Sequence, residues 1–282
     1  MAKLTAEELV FRKIEEKVKR AIFEYSLIAN GDRILIGLSG GKDSLALVDL
    51  LGRRSKIYNP RFEVVVAHVV MTNIPYCSDA EYLKSCADEH GLPFIIHETS
   101  FDASTDTRKS PCFLCSWTRR KALFDIAKKH NCNKIALGHH MSDVLETTLL
   151  GLFYGAQMQT MPPKLRSRNF PGMELIRPLY CVHEDAIIAW KNYNHLRFLQ
   201  CACRFTEARD AAGDGVGESK RQEMKLLLRE LKKTNPNIEK SMFRAIHGVQ
   251  LDTFPGFKYR GKAHSFLEFY DTSASFLESD ET

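Results

Sequence analysis

The densest chemistry in the sequence sits in Ser39-Gly40-Gly41-Lys42-Asp43-Ser44, between the apolar run Arg33-Ile-Leu-Ile-Gly-Leu38 and a helical pattern that begins near Asp43. The nucleoside-triphosphatase P-loop needs Gly, four residues, Gly-Lys and then Ser or Thr. Here Ile36 stands where the first Gly belongs, and Asp43 stands where the metal-binding hydroxyl belongs. The physics outlives the failed motif. A strand ends, glycines let the backbone approach an anion, and a helix start offers open N–H groups and a positive dipole end. Ser39, Lys42 and Ser44 add donors. The stretch is therefore expected to hold phosphate or pyrophosphate in a manner of its own.

Cysteine supplies the second chemistry. Eight cysteines in a chain without a secretory leader pattern are not expected to be disulfides. Cys112 and Cys115 form Cys-Phe-Leu-Cys, and Cys201 and Cys203 form Cys-Ala-Cys. Such thiolates suit zinc or an iron–sulfur cluster, and a cluster held by only three of them keeps one iron open. By chemistry alone both metals stand. Cys77, Cys86, Cys132 and Cys181 stand apart and are expected to behave as small apolar side chains. Gly138-His139-His140 is a third feature. Adjacent residues on a strand point to opposite sides, so one histidine is expected to pack and the other to line a crevice. Asp143, three residues on, is expected to face that crevice from the first turn of the next helix.

The elements that must position these groups follow from periodicity. Residues 5 to 29 read as an amphipathic helix with Thr5 and Glu8 at capping-box spacing. Apolar runs at 33–38, 62–70, 92–99, 133–140 and 173–180 read as five strands, with helical patterns at 43–54, 78–91, 118–131 and 141–155 between them. Alternation of this kind implies an α/β fold, with an open, mainly parallel twisted sheet and helices on both faces. Ligands of such sheets bind beyond the carboxyl ends of the strands, where the phosphate loop, His68 and Gly138 all fall. Residues 210–221 are expected to be a Gly- and Asp-rich loop before a basic helix, and the last residues an acidic tail. Lys164, Arg166 and Arg168 read as a basic loop suited to an RNA backbone.

The chain has 282 residues, a formal net charge of +5 and a hydrophobic content of 44%. No apolar run approaches the roughly 20 residues of a membrane span, so no membrane partner is expected and the location is read as cytoplasmic. The expected organisation is an N-terminal helix over 1–30, a nucleotide-binding domain over 31–200 with the Cys-x-x-Cys as an insertion, and a C-terminal helical segment and tail over 201–282.

Ser-Gly-Gly-Lys-Asp-Ser after the first strand resembles the PP-loop of ATP pyrophosphatases. The stretch from Cys112 through Gly138-His139-His140-x-x-Asp143 to Met161-Pro-Pro-Lys-Leu165, with Ile176-Arg-Pro-Leu179, is similar to the TtcA family of tRNA 2-thiocytidine synthetases. The likeness runs from about residue 10 to about residue 250. The resemblance implies a tRNA sulfurtransferase that uses ATP and Mg2+, adenylates C2 of a cytidine (tRNA position 32) and replaces oxygen with sulfur through a 4Fe-4S cluster. It implies Ser39, Gly40, Gly41, Lys42, Asp43, Ser44, His68 and Gly138 around the nucleotide. Lys42, Asp43, Asp143 and Arg119 would serve the reaction. Cys112, Cys115 and one of Cys201 and Cys203 would hold the cluster, with Cys203 preferred; the single residue between the later pair departs from the two found in the family. tRNA, ATP and a sulfur donor (a cysteine desulfurase or free sulfide) are the implied partners, with a homodimer left open. The competing readings are a PP-loop ligase or amidating enzyme acting on a small molecule with structural zinc, and a catalytically silent binding relative.

Overall fold

The computed structural model describes residues 5–57, 59–73, 79–102, 111–194, 196 and 216–270. The chain divides into two compact units, Met1–Leu227 and Leu228–Thr282.

In the first unit a six-stranded sheet runs β3 (Phe94–Thr99), β2 (Glu63–Met71), β1 (Arg33–Gly37), β4 (Lys134–Ala136), β6 (Glu174–Ile176), β5 (Lys164–Arg166). The pairs from β3 to β6 are parallel, and β5 alone runs antiparallel, at the edge. The central strands are apolar on both faces because helices cover both. Ile34, Leu35 and Ile36 are all fully buried, as are Val65, Val66 and Ala67. On one face Leu35, Val65 and Ile135 pack with Phe124, Ile126 and Ala127 of α4 (Pro111–Lys129). α2 (Lys42–Arg54) packs on β1 and β2, and against α3 (Ala80–Asp88) and α6 (Glu184–Tyr193); α1 (Ala6–Glu24) also packs against α6. The Thr5–Glu8 capping box closes the start of α1 as its spacing predicts.

Four expectations are corrected. The strand expected over 133–140 stops at Ala136, because His140 is the N-cap of α5 (Met141–Tyr154), an extended position that leads into a helix rather than along a ladder. The strand expected over 173–180 stops at Ile176; Pro178 has no N–H to give a ladder, and a turn follows, with Tyr180 N donating to Arg177 O. The basic loop expected at 164–168 contains β5, paired through Leu165 with Leu175. Of the loop expected over 210–221, residues 216–221 are helical and belong to α7 (Val216–Thr234). The acidic tail lies outside the described residues.

The second unit holds the end of α7, α8 (Ile238–His247), a short hairpin of β7 (Gly256–Tyr259) and β8 (Lys262–Ser265), and α9 (Leu267–Tyr270). The hairpin was not expected in a segment read as helical.

Candidate functional site

The site begins where β1 ends. Leu38 N still pairs with Ala67 O at 2.8 Å, and then the chain turns through Gly40, whose φ of +84° suits a residue without a Cβ. Gly41 caps α2 with extended backbone and no side-chain cap, so the first N–H groups of the helix stay open toward the loop. Ser44 Oγ donates to Gly41 O at 2.9 Å and lies 3.2 Å from Ser39 Oγ, which ties the two ends of the loop together. Six residues of consecutive sequence thus form a ring of backbone and hydroxyl donors at a helix start.

Lys42 and Asp43 point to one side of this loop. Lys42 Nζ stands 3.1 Å from Asp43 Oδ2 and 3.1 Å from Glu184 Oε1. Burial alone would lower the lysine, but the two carboxylates outweigh it and raise it above its ordinary value. Asp43 Oδ1 is buried and makes no hydrogen bond; His140 Nε2 lies 3.7 Å from it.

The end of β4 forms the opposite wall. A Cβ on Gly138 would lie 3.2 Å from the backbone carbon and the Cβ of Asp43, a tight contact, so glycine suits the close approach of this turn to the start of α2. His140 N donates to Asp143 Oδ2 at 3.0 Å, and Asp143 N donates to His140 Nδ1 at 3.3 Å. This reciprocal cap fixes the ring. Asp143 faces the crevice from the first turn of α5, as the spacing predicts, but its other oxygen accepts from Arg221 Nη2 of α7 at 2.6 Å. Arg221 Nε donates to Glu146 at 2.8 Å, so one guanidinium bridges two carboxylates. His139 is half-buried and its Nδ1 makes no hydrogen bond. Burial, reinforced by Arg177 and Arg221 against the pull of Asp143, lowers it to about 4 and keeps it neutral at pH 7.

β2 supplies the third wall. It runs on past the end of β1, whose last partner is Ala67, so the next residue, His68, reaches over the end of β1. His68 Nδ1 lies 2.7 Å from Leu38 O, and Nε2 is buried without a hydrogen bond. Burial holds this ring below its ordinary pKa, opposed by the Leu38 carbonyl and helped by Arg119. His68, Arg119, Leu38, Ser39, Val69 and Leu123 line an open pocket next to the loop.

The loop, His68, Arg119, Gly138 and Asp143 therefore gather around one end of the sheet. The cysteines are less complete. Positions 112 and 115 lie on the first turn of α4, where a spacing of three puts them on one helix face, and Cys115 is half-buried. Cys201 and Cys203 lie outside the described residues, and the described residues contain no group of three or more possible metal ligands. Cys132 and Cys181 are buried, as expected of small apolar side chains, whereas Cys86 is only half-buried; Cys77 lies outside the described residues.

Several residues of the site went unread in the sequence. Glu184 had a faint signal, as an acid in the first turn after His183. Arg221 and Lys225 are four apart on a basic helix, and nothing in that pattern names their partners. Arg177 was noticed only within Ile-Arg-Pro-Leu. It is buried, Nη1 donates to Pro162 O, and burial lowers its pKa.

Residues 10–203 match the model of the PP-loop domain family. The chain is 36% identical over 252 residues to the tRNA-cytidine(32) 2-sulfurtransferase of Geotalea daltonii, covering 86% of this chain and 94% of the relative. It is 34% identical over 251 residues to the enzyme of the same name from Geotalea uraniireducens, with the same coverage. Among solved structures it resembles the U34-tRNA thiolase NcsA from Methanococcus maripaludis with its [4Fe-4S] cluster, at a TM-score of 0.66 and 22% identity over 86% of this chain and 82% of that one. At that identity the likeness shows a shared fold.

Proposed function

This chain belongs to the PP-loop family, with tRNA-cytidine(32) 2-sulfurtransferases among its relatives, and from that premise we propose that it thiolates C2 of a tRNA cytidine at the expense of ATP. The observation that carries the reading is the loop from Ser39 to Ser44, an anion cradle pressed against the Gly138 turn, with Lys42 and the buried, unbonded Asp43 Oδ1 on its inner side.

ATP lies with its β- and γ-phosphates in the loop and its base toward the pocket beside His68 and Arg119. Lys42 balances charge that grows on pyrophosphate as it leaves. Asp43 Oδ1, an acceptor without a donor, is the group that would hold Mg2+, whose charge would offset that of the phosphates. The C2 oxygen of the cytidine attacks the α-phosphorus, and the bond to pyrophosphate breaks. A sulfur nucleophile then attacks C2, and AMP departs with the former oxygen, leaving a thiocarbonyl. The base must leave its stack to enter the crevice, and Lys164, Arg166 and Arg168 offer charge for the tRNA backbone. Asp143 holds the His140 turn, and Arg119 steadies the adenylate.

Cys112, Cys115 and Cys203 would be a donor set suited to a 4Fe-4S cluster, and the first two positions are three apart on one helix. Held by three thiolates, such a cluster would leave one iron without a protein ligand, and the chemistry it would supply there is binding of a sulfur atom. Free sulfide supplies that sulfur directly; a cysteine desulfurase supplies it as a persulfide, from which a two-electron thiol reductant releases it.

The test is pyrophosphate release from ATP in the presence of tRNA, followed by nucleoside mass spectrometry for 2-thiocytidine. Protein purified without oxygen is expected to carry about four irons and matching labile sulfide per chain. Cys112→Ala, Cys115→Ala and Cys203→Ser should lose iron and thiolation but keep ATP binding, and Cys201→Ser should keep both. Fully active protein with stoichiometric zinc and no sulfide would overturn the cluster assignment and favour the small-molecule ligase.

A further inference from the structure

Glu184 is the first residue of α6, held there by its N–H to Ser142 Oγ at 3.3 Å, and its carboxylate is bracketed by two ammonium groups. Oε1 lies 3.1 Å from Lys42 Nζ of the phosphate loop; Oε2 lies 2.6 Å from Lys225 Nζ of α7. All three side chains are mostly shielded, at 14% exposure for Glu184, 21% for Lys42 and 28% for Lys225. Burial opposes ionisation of the carboxyl, but Lys225 and Lys42 outweigh it and hold it at about 2. The bracket is thus a fully charged anion between two lysines at the mouth of the loop, with a helix N-terminus behind it.

A triphosphate bound in the loop needs the same ammonium of Lys42. Two anions cannot share it at full strength, so one must give way. Lys225 stands one helical turn after Arg221, and Arg221 is already fastened to Asp143 and Glu146. That anchor keeps Lys225 at the loop mouth whichever anion occupies it. We propose that Glu184 is a built-in stand-in for phosphate: it occupies Lys42 and Lys225 before ATP binds, ATP displaces it, and Lys225 then becomes a second lysine on the phosphates.

The inference rests on the reading of the loop as an ATP site, and the experiment separates the two. Equilibrium binding of Mg-ATP, pyrophosphate and AMP is measured on the full-length protein and its variants. Lys225→Met is expected to weaken ATP and pyrophosphate by about tenfold, the size of one lost charge-assisted bond, and to leave AMP unchanged. Glu184→Gln is expected to tighten ATP and pyrophosphate by about tenfold, because the competitor has lost its charge. If Glu184→Gln is poorly folded, Glu184→Asp, one methylene shorter, should tighten both in the same direction. Unchanged ATP affinity in Lys225→Met, equal weakening of AMP, or weaker ATP binding in the Glu184 variants would overturn the proposal. Normal ATP binding in Lys42→Ala would instead overturn the loop assignment itself.

Discussion

At the amino end of the sheet, Asp32, Lys134 and Glu174 form a buried ionic cluster; at the carboxyl end of the same strands, Lys42, Asp43, Glu184, Asp143 and Arg221 form another. In the first, every proton of the Lys134 ammonium has an acceptor: Asp32 Oδ2 at 2.8 Å, Leu27 O at 2.8 Å and Glu174 Oε2 at 3.4 Å. Asp32 also accepts from Ala29 N at 2.6 Å and Asn133 Nδ2 at 2.8 Å. Although burial opposes it, these donors hold the Asp32 carboxyl below its ordinary pKa. At this carboxyl end, Asp43 Oδ1, His68 Nε2 and His139 Nδ1 are buried without hydrogen bonds. Buried polar atoms are nearly always paired, and leaving one unpaired costs about 1–3 kcal/mol. A closed network leaves no atom for a ligand to satisfy. The open one, beside a glycine loop, leaves acceptors unfilled, which is what the proposed ATP site requires.

Lys134→Met should show the largest effect on stability, about 3–5 kcal/mol in a urea titration, because it leaves the buried Asp32 carboxylate without its cation, while Glu174 keeps Lys164 at 3.1 Å. The folded fraction should bind ATP normally; a loss of ATP affinity would blur the distinction between the two ends. Lys42→Ala and Asp43→Ala should do the reverse. Tenfold to a thousandfold loss of tRNA-dependent pyrophosphate release is expected, centred on about 10², with stability within about 1 kcal/mol of the parent. Destabilisation as large as that of Lys134→Met would mean that the loop charges serve the fold after all.

The smallest effect concerns acid. His139 titrates near 6.5 when unfolded and at about 4 when folded, so between these values the unfolded chain binds the extra proton and stability falls as pH falls. Asp32 and Glu174 have lowered folded values, so their contribution is present above the unfolded carboxylate range and is lost only as pH drops through it. Acid should therefore act in two stages, the upper one from the open cluster and the lower one from the closed cluster. His139→Gln should remove up to about 2 kcal/mol of the loss between pH 7 and 5 and leave the lower stage in place, as read by thermal melts across pH. An unchanged upper stage would assign it to another group, with His68 the next candidate.

Much of this molecule is written locally. The strand runs around Ile34–Ile36 and Val64–Val69 announce themselves because strands covered on both faces are apolar throughout, and the Ser39–Ser44 loop announces itself because glycine and lysine between a buried strand and a helix have few other uses. Asp143 was legible for a similar reason: its place three residues after the N-cap fixes its direction by helix geometry alone. Short segments misled. β4, β5 and β6 have three residues each, too few to show a period, and their pairing is decided by neighbours far away in sequence. The same holds for partners. Lys134 follows Asp32 by about a hundred residues, and Arg221 follows Asp143 by 78, so no spacing rule links them. The sequence determined which residues could carry charge, donate or bend, because those are properties of single side chains and short runs. Only the tertiary structure decided which charges are closed off and which stay open, because satisfying a buried group depends on what the fold brings within about 3 Å of it.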